Sequence, residues 1–296
     1  MSITRRELLG AMAFGATAQT LPRSVPLRTR PPVCLASGRL QRLDYSELGP
    51  ALRGLGLDGC DLAVRRGGHV EPERAPADLL RAIEGIRGEG VDVPMVTTVF
   101  LSAAEPWARS VVGIAGTLGV PYFTAGPWPY TGAENIEARL ADVRREIAGL
   151  ASLGRAYEIA FGVHNRVGEF AGASIWDTHM AITNLDPRWT GYYFDPCHAT
   201  AHGGLAVTLK LALPRIKMVA VRDFYWKREA GGRWRFEYCP LGEGMVDWAP
   251  VFAQLARARF TGPLSLHVEY EAPDEIAAVR RDLEFVRRQV AAAYGS

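Results

Sequence analysis

Eight short apolar runs, each followed by a longer segment of helical period, constrain this chain more than any other feature of its sequence. The runs fall at 33–36, 59–63, 94–100, 122–125, 159–163, 192–194, 218–221 and 263–268. They are apolar on both faces and end at Gly, Pro or polar residues, as strands do when helices cover both sides of a parallel sheet. Amphipathic segments separate them at 45–55, 77–88, 106–118, 136–153, 174–184, 205–213, 248–258 and 274–293. In the last of these, Ile276, Val279, Leu283, Val286 and Val290 recur at three- and four-residue steps, which places them on one face. Eight such units of about 33 residues predict one α/β domain over 32–296, a (βα)8 TIM barrel. An open doubly wound sheet would carry a Gly-rich phosphate turn after its first strand, and Ser37-Gly38-Arg39 is not one. One unit is irregular: in 223–239, Gly231-Gly232 lies between two aromatic-rich runs, which predicts a β-hairpin inserted after the seventh strand.

Residues 1–31 read as a Tat-type signal peptide and linker. Arg5-Arg6 precedes a weakly apolar, Gly/Ala-rich stretch, and Ala16-Thr17-Ala18 offers a small-residue cleavage site. The expectation is export to the periplasm or beyond, with no membrane contact after signal cleavage. A formal net charge of +2, with no long basic run, gives no electrostatic support for a nucleic-acid partner. Cys34, Cys60, Cys197 and Cys239 lack the close spacing of a zinc or redox motif. Cys34 and Cys60 sit in apolar runs and are expected to be buried thiols.

In such a barrel the chemistry sits where strands end. The polar residues concentrate there: His69 after the second run, Trp128 after the fourth, His164 at the fifth, Asp195 and His198 after the sixth, Arg222 and Asp223 after the seventh, His267 and Glu269 at the eighth. His267 and Glu269 alternate along one strand, so both face one side, and an acid turned outward among helices would be costly without a partner. Asp195 could serve as a helix cap instead, and Trp128 as packing for a barrel helix. Imidazoles and carboxylates together bind a divalent ion such as Mn, Co or Zn, and they also move a proton on or off a carbon beside a carbonyl. Trp128 offers a sugar a flat apolar face.

The ordered set GLDGCDLAVRRGGHVEPER, YYFDPCHAT, VRDFYWK, CPLGEGMVDW and SLHVEYE resembles the xylose isomerase-like barrel family of sugar isomerases and epimerases, in an often exported bacterial branch. The resemblance runs from about Val33 to Val290. It implies a metal site built from a Glu of strand five, the Asp of a D-x-x-H after strand six, a His of strand seven and a Glu of strand eight. Asp195 and Glu269 match two of these, with His198 as the substrate-facing His of D-x-x-H. Two positions depart: strand five offers His164 rather than Glu, and strand seven has Ala220 where the family has His. The implied metal ligands are thus His164, Asp195 and Glu269. Glu269 and His198 are the implied catalytic pair, and His69, Trp128, Arg222, Asp223 and His267 are the expected substrate contacts. The implied activity is isomerisation or epimerisation of a small-molecule carbohydrate, a non-phosphorylated sugar or keto-sugar. A lyase or hydrolase of oxidised glycosides, or a catalytically inactive sugar-binding barrel, are the alternatives.

Overall fold

The computed structural model describes residues 29–130, 132 and 135–295. The signal peptide expected at the amino terminus lies outside the described residues up to residue 28. Eight parallel strands close into a barrel: β1 (Val33–Ala36), β2 (Gly59–Ala63), β3 (Asp92–Thr97), β4 (Tyr122–Ala125), β5 (Ala160–His164), β6 (Thr190–Phe194), β7 (Ile216–Val221) and β8 (Leu264–Leu266). Each strand pairs with its sequence neighbours, and β8 closes the ring on β1 through Val33↔Leu264 and Leu35↔Leu266. The (βα)8 expectation therefore holds. The third and eighth strands are shorter than their apolar runs suggest, so 98–100 and 267–268 belong to the loops on the strands' carboxyl side.

Closure makes two cores. The larger one lies between strands and helices, where Leu35, Leu62, Phe123 and Phe161 of the strands meet Leu48, Leu52, Ile83 and Phe252 of the helices. Each such side chain contributes roughly 1.5–3 kcal/mol on leaving water. The smaller core fills the barrel's interior with Met95, Tyr193, Met218 and Ala220. Gly162 on β5 makes room for it, because a Cβ there would collide with Met218 Cε.

Helix starts follow their sequence signals. Asp44 and Glu47 form a reciprocal capping box, and Asn135 and Asp274 cap the helices Ile136–Ala156 and Glu275–Tyr294. The short helix Pro196–Ala201, capped by Asp195, is too brief for a helical period to announce. The predicted hairpin pairs Asp223–Arg228 with Trp234–Cys239, with Gly232 in a left-handed turn conformation at φ 81°. All four cysteines are buried and free. Among the described residues no helix is long and apolar enough to cross a membrane.

Candidate active site

The carboxyl ends of the strands surround a cavity of about 720 Å³, whose floor and walls include His164, Tyr193, Arg222, His267 and Glu269. That volume suits a small-molecule ligand. Arg222, the first residue past β7, is its centre. Its Nε donates to Asp195 Oδ2 at 2.8 Å and its Nη1 to Glu269 Oε2 at 2.7 Å. Its Nη2 lies 2.6 Å from Asp195 Oδ2 and 2.5 Å from His198 Nε2. The guanidinium thus gathers groups delivered by β6, β7 and β8. The inserted hairpin seals its far side: the Tyr238 ring lies 5.1 Å from the guanidinium carbon, and Phe236 stacks on His198 at 5.7 Å. With water excluded, the ion pair to Asp195 acts in a low local dielectric.

Asp195 is fully buried. It also takes the His198 backbone N–H at 3.1 Å and faces His164 Nε2 at 3.1 Å, while Asn165 clamps its backbone through bonds of 2.7 and 2.9 Å. Burial alone would raise its carboxyl, but Arg222 and the two imidazoles hold it well below the usual carboxylate range. Burial opposes ionisation of Glu269 too, and Arg222 with His267 overrides it, so Glu269 is likewise an ionised carboxylate. Burial pushes His164 down to about 4 and His198 down to about 3, against the pull of Asp195. A neutral His198 has one lone pair, and both Val167 N–H, at 3.0 Å from Nδ1, and Arg222 compete for it.

A second network starts from Glu269, just past the end of the neighbouring β8. His267 Nδ1 faces Glu269 Oε1 at 3.3 Å, and its Nε2 faces the Tyr193 hydroxyl at 2.7 Å. Behind them Asp61, buried in β2, accepts from Thr97 at 2.6 Å and Ser265 at 2.7 Å. Burial raises the Asp61 carboxyl despite these partners. Glu269 therefore joins two polar networks, one centred on Arg222 and one reaching Asp61.

Of the residues expected at the site, His164, Arg222, His267 and Glu269 line the cavity. Asp195 and His198 lie behind Arg222 and do not line it, so the expected substrate-facing role of His198 is blocked by a guanidinium. Three residues do not join the site. His69 packs against Ser37 Oγ (3.0 Å) and the Leu40 carbonyl (3.2 Å), holding the turn after β1. Trp128 is buried edge-on to Phe161 and donates its indole N–H to the Leu101 carbonyl at 2.9 Å, so no ring face is open to a sugar. Asp223 is buried where it accepts from Gly242 N, Val246 N and Trp248 Nε1, tying the hairpin to the barrel. Asp61 and Tyr193 are the residues that sequence reasoning missed. A carboxylate inside the apolar run 59–63 is itself the signal, since burial demands partners.

The donor set does not fit a resident divalent ion. Asp195 and Glu269 both direct an oxygen at Arg222, and a metal between them would share that space with a cation. Among the described residues no three His, Cys, Asp or Glu side chains converge to hold a metal. Ala220, at the position of the family's strand-seven ligand, is part of the barrel's apolar interior.

A family model described as xylose isomerase-like TIM barrel matches residues 51–289. Several solved structures share the fold. A D-tagatose 3-epimerase-like protein superposes with a TM-score of 0.71 at 14% identity, over 88% of this chain and 98% of that one. The 3-keto-D-glucoside 4-epimerase of E. coli does so at 0.70 and 13%, over 88% and 100%. A xylose isomerase-like TIM barrel protein from Mycobacterium smegmatis, solved in complex with magnesium, does so at 0.67 and 16%, over 90% and 98%. No curated protein matches the sequence.

Proposed function

From the premise that the chain belongs to the xylose isomerase-like TIM barrel family, we propose that it is a sugar isomerase or epimerase in which the guanidinium of Arg222 does the work of a divalent ion. The observation that carries this reading is the placement of Arg222 between Asp195 and Glu269 at the floor of the cavity. A proton leaving a carbon beside a carbonyl passes to Glu269, backed by His267. The negative charge that develops on the sugar oxygen is met by Arg222, a fixed cation whose far side is covered by the hairpin. Held against Arg222, Glu269 is a weak base. A substrate oxygen that replaces it on Nη1 frees the carboxylate and strengthens it. Return of the proton to the neighbouring carbon of the enediolate, with the hydroxyl proton passing between the two oxygens, completes an isomerisation. Delivery of a solvent proton to the opposite face of the same carbon, past His164 at the cavity wall, completes an epimerisation.

The proposed substrate is a non-phosphorylated sugar or keto-sugar: the proposed Tat signal would export the enzyme, and an exported enzyme seldom meets sugar phosphates. The test is a solvent-deuterium exchange screen over aldoses, ketoses and 3-keto-sugars. Label entering at a carbon beside the carbonyl, and lost in Glu269→Gln, is the expected result. Binding without exchange for every sugar would leave a binding barrel and no enzyme.

A further inference from the structure

The charge in the cavity is unbalanced once its ion pairs are accounted for. Five arginines face it, against Asp61, Glu269 and Glu275. Arg42 is paired with Glu275 at 2.6 Å, and Arg222 with Glu269 and Asp195. Arg39, Arg65 and Arg166 remain, and among the described residues none of them pairs with a carboxylate. Asp61 does not offset them, since it is buried in the strand layer on Thr97 and Ser265.

Arg39 and Arg65 come from the loops after β1 and β2, which are neighbours in the barrel. Among the described residues Arg39 reaches only the Tyr270 carbonyl, at 3.5 Å, and its buried Nε has no hydrogen-bond partner. Among the described residues Arg65 reaches only the Arg66 carbonyl, at 3.4 Å, and its Nη2 lies over Gly38, the residue beside Arg39. Two guanidinium groups from adjacent loops, both half-buried and neither neutralised, repel each other unless an anion lies between them. Arg166 stands on the far side of the mouth, after β5, and adds to the same positive field.

We propose that the substrate carries an anionic group, a carboxylate or a phosphate, and that Arg39 and Arg65 hold it at the β1–β2 side while the reacting carbon sits at Arg222 and Glu269. Paired guanidinium forks match either anion through bidentate bonds. A carboxylate, as in a uronate, accords with the proposed export; a phosphate would keep the anion site and overturn the non-phosphorylated substrate proposed above. The inference rests on the proposed reaction for the placement of the reacting carbon, but the anion site itself is read by binding alone.

The experiment is calorimetric titration of the full chain with matched sets of aldose, its uronate and its 6-phosphate, for glucose, galactose and mannose. In at least one set an anionic member binds tenfold or more tightly than the neutral aldose, and added salt weakens the preference. Arg65→Gln and Arg39→Gln each bring the anion-to-neutral ratio toward one. Uronate ahead of 6-phosphate identifies the carboxylate, and the reverse identifies the phosphate. Equal binding of neutral and anionic members, no binding in any set, or a ratio unchanged in both variants overturns the inference. Anion-selective binding with no deuterium exchange keeps it and removes the proposed reaction instead.

Discussion

Replacing Arg222 by Met tests how much of the site hangs on one cation. The substitution keeps the length of the side chain and removes its charge. Arg222 is 3% exposed and Asp195 fully buried, so Asp195 would keep its charge with the two neutral imidazoles and the His198 amide as partners. Breaking a buried pair from one side costs about 3–5 kcal/mol. Glu269 is 39% exposed, and solvent screening limits its share to about 1 kcal/mol or less. A loss of about 3–5 kcal/mol corresponds to a fall in Tm of roughly 6–20 °C for a domain of this size. Urea unfolding of wild type, Arg222→Met, Asp195→Asn and the double variant measures it. The double variant should be clearly more stable than Arg222→Met, because the uncompensated charge is gone. An Arg222→Met loss under about 1 kcal/mol, or a double variant that is merely additive, would refute a guanidinium-centred network.

Three further outcomes follow from the same geometry. Glu269→Gln abolishes exchange but leaves Tm nearly unchanged, since Arg222 retains Asp195; circular dichroism beside the exchange assay checks both, and an unfolded product would make Glu269 structural. Stability falls as pH drops below about 6.5, because the unfolded chain protonates His164 and His198 while the folded chain keeps them neutral down to about 4 and 3; each ring contributes a slope of about 1.4 kcal/mol per pH unit in denaturant titrations, and a flat profile from pH 6.5 to 4.5 would contradict it. Trp128→Phe costs about 1–2 kcal/mol through the lost bond to the Leu101 carbonyl and leaves exchange intact, whereas lost exchange at normal stability would return Trp128 to the sugar site.

The barrel was legible in the sequence because its signal is periodic and repeated: strands β1, β2 and β4 coincide with their apolar runs, and the Gly231-Gly232 turn announces the hairpin. Positions at strand ends could be read, and His164, Arg222, His267 and Glu269 do meet in one cavity. Which way a strand-end side chain turns could not. Asp223 and Trp128 have the same sequence context as site residues, yet each is drawn inward by partners distant in the chain, Trp248 and Leu101. Arg222 was read as a substrate contact because its pairing with Asp195 and Glu269 exists only once β6, β7 and β8 are side by side. The same closure turns a plausible metal-ligand set into the surroundings of a guanidinium.

The most direct test is deuterium exchange into a responsive sugar by protein stripped of metal with chelator, with elemental analysis of the same sample. Full exchange without bound metal, lost in Arg222→Met, is what a resident guanidinium predicts. Exchange that disappears on chelation and returns with Mn, Co or Zn would contradict it.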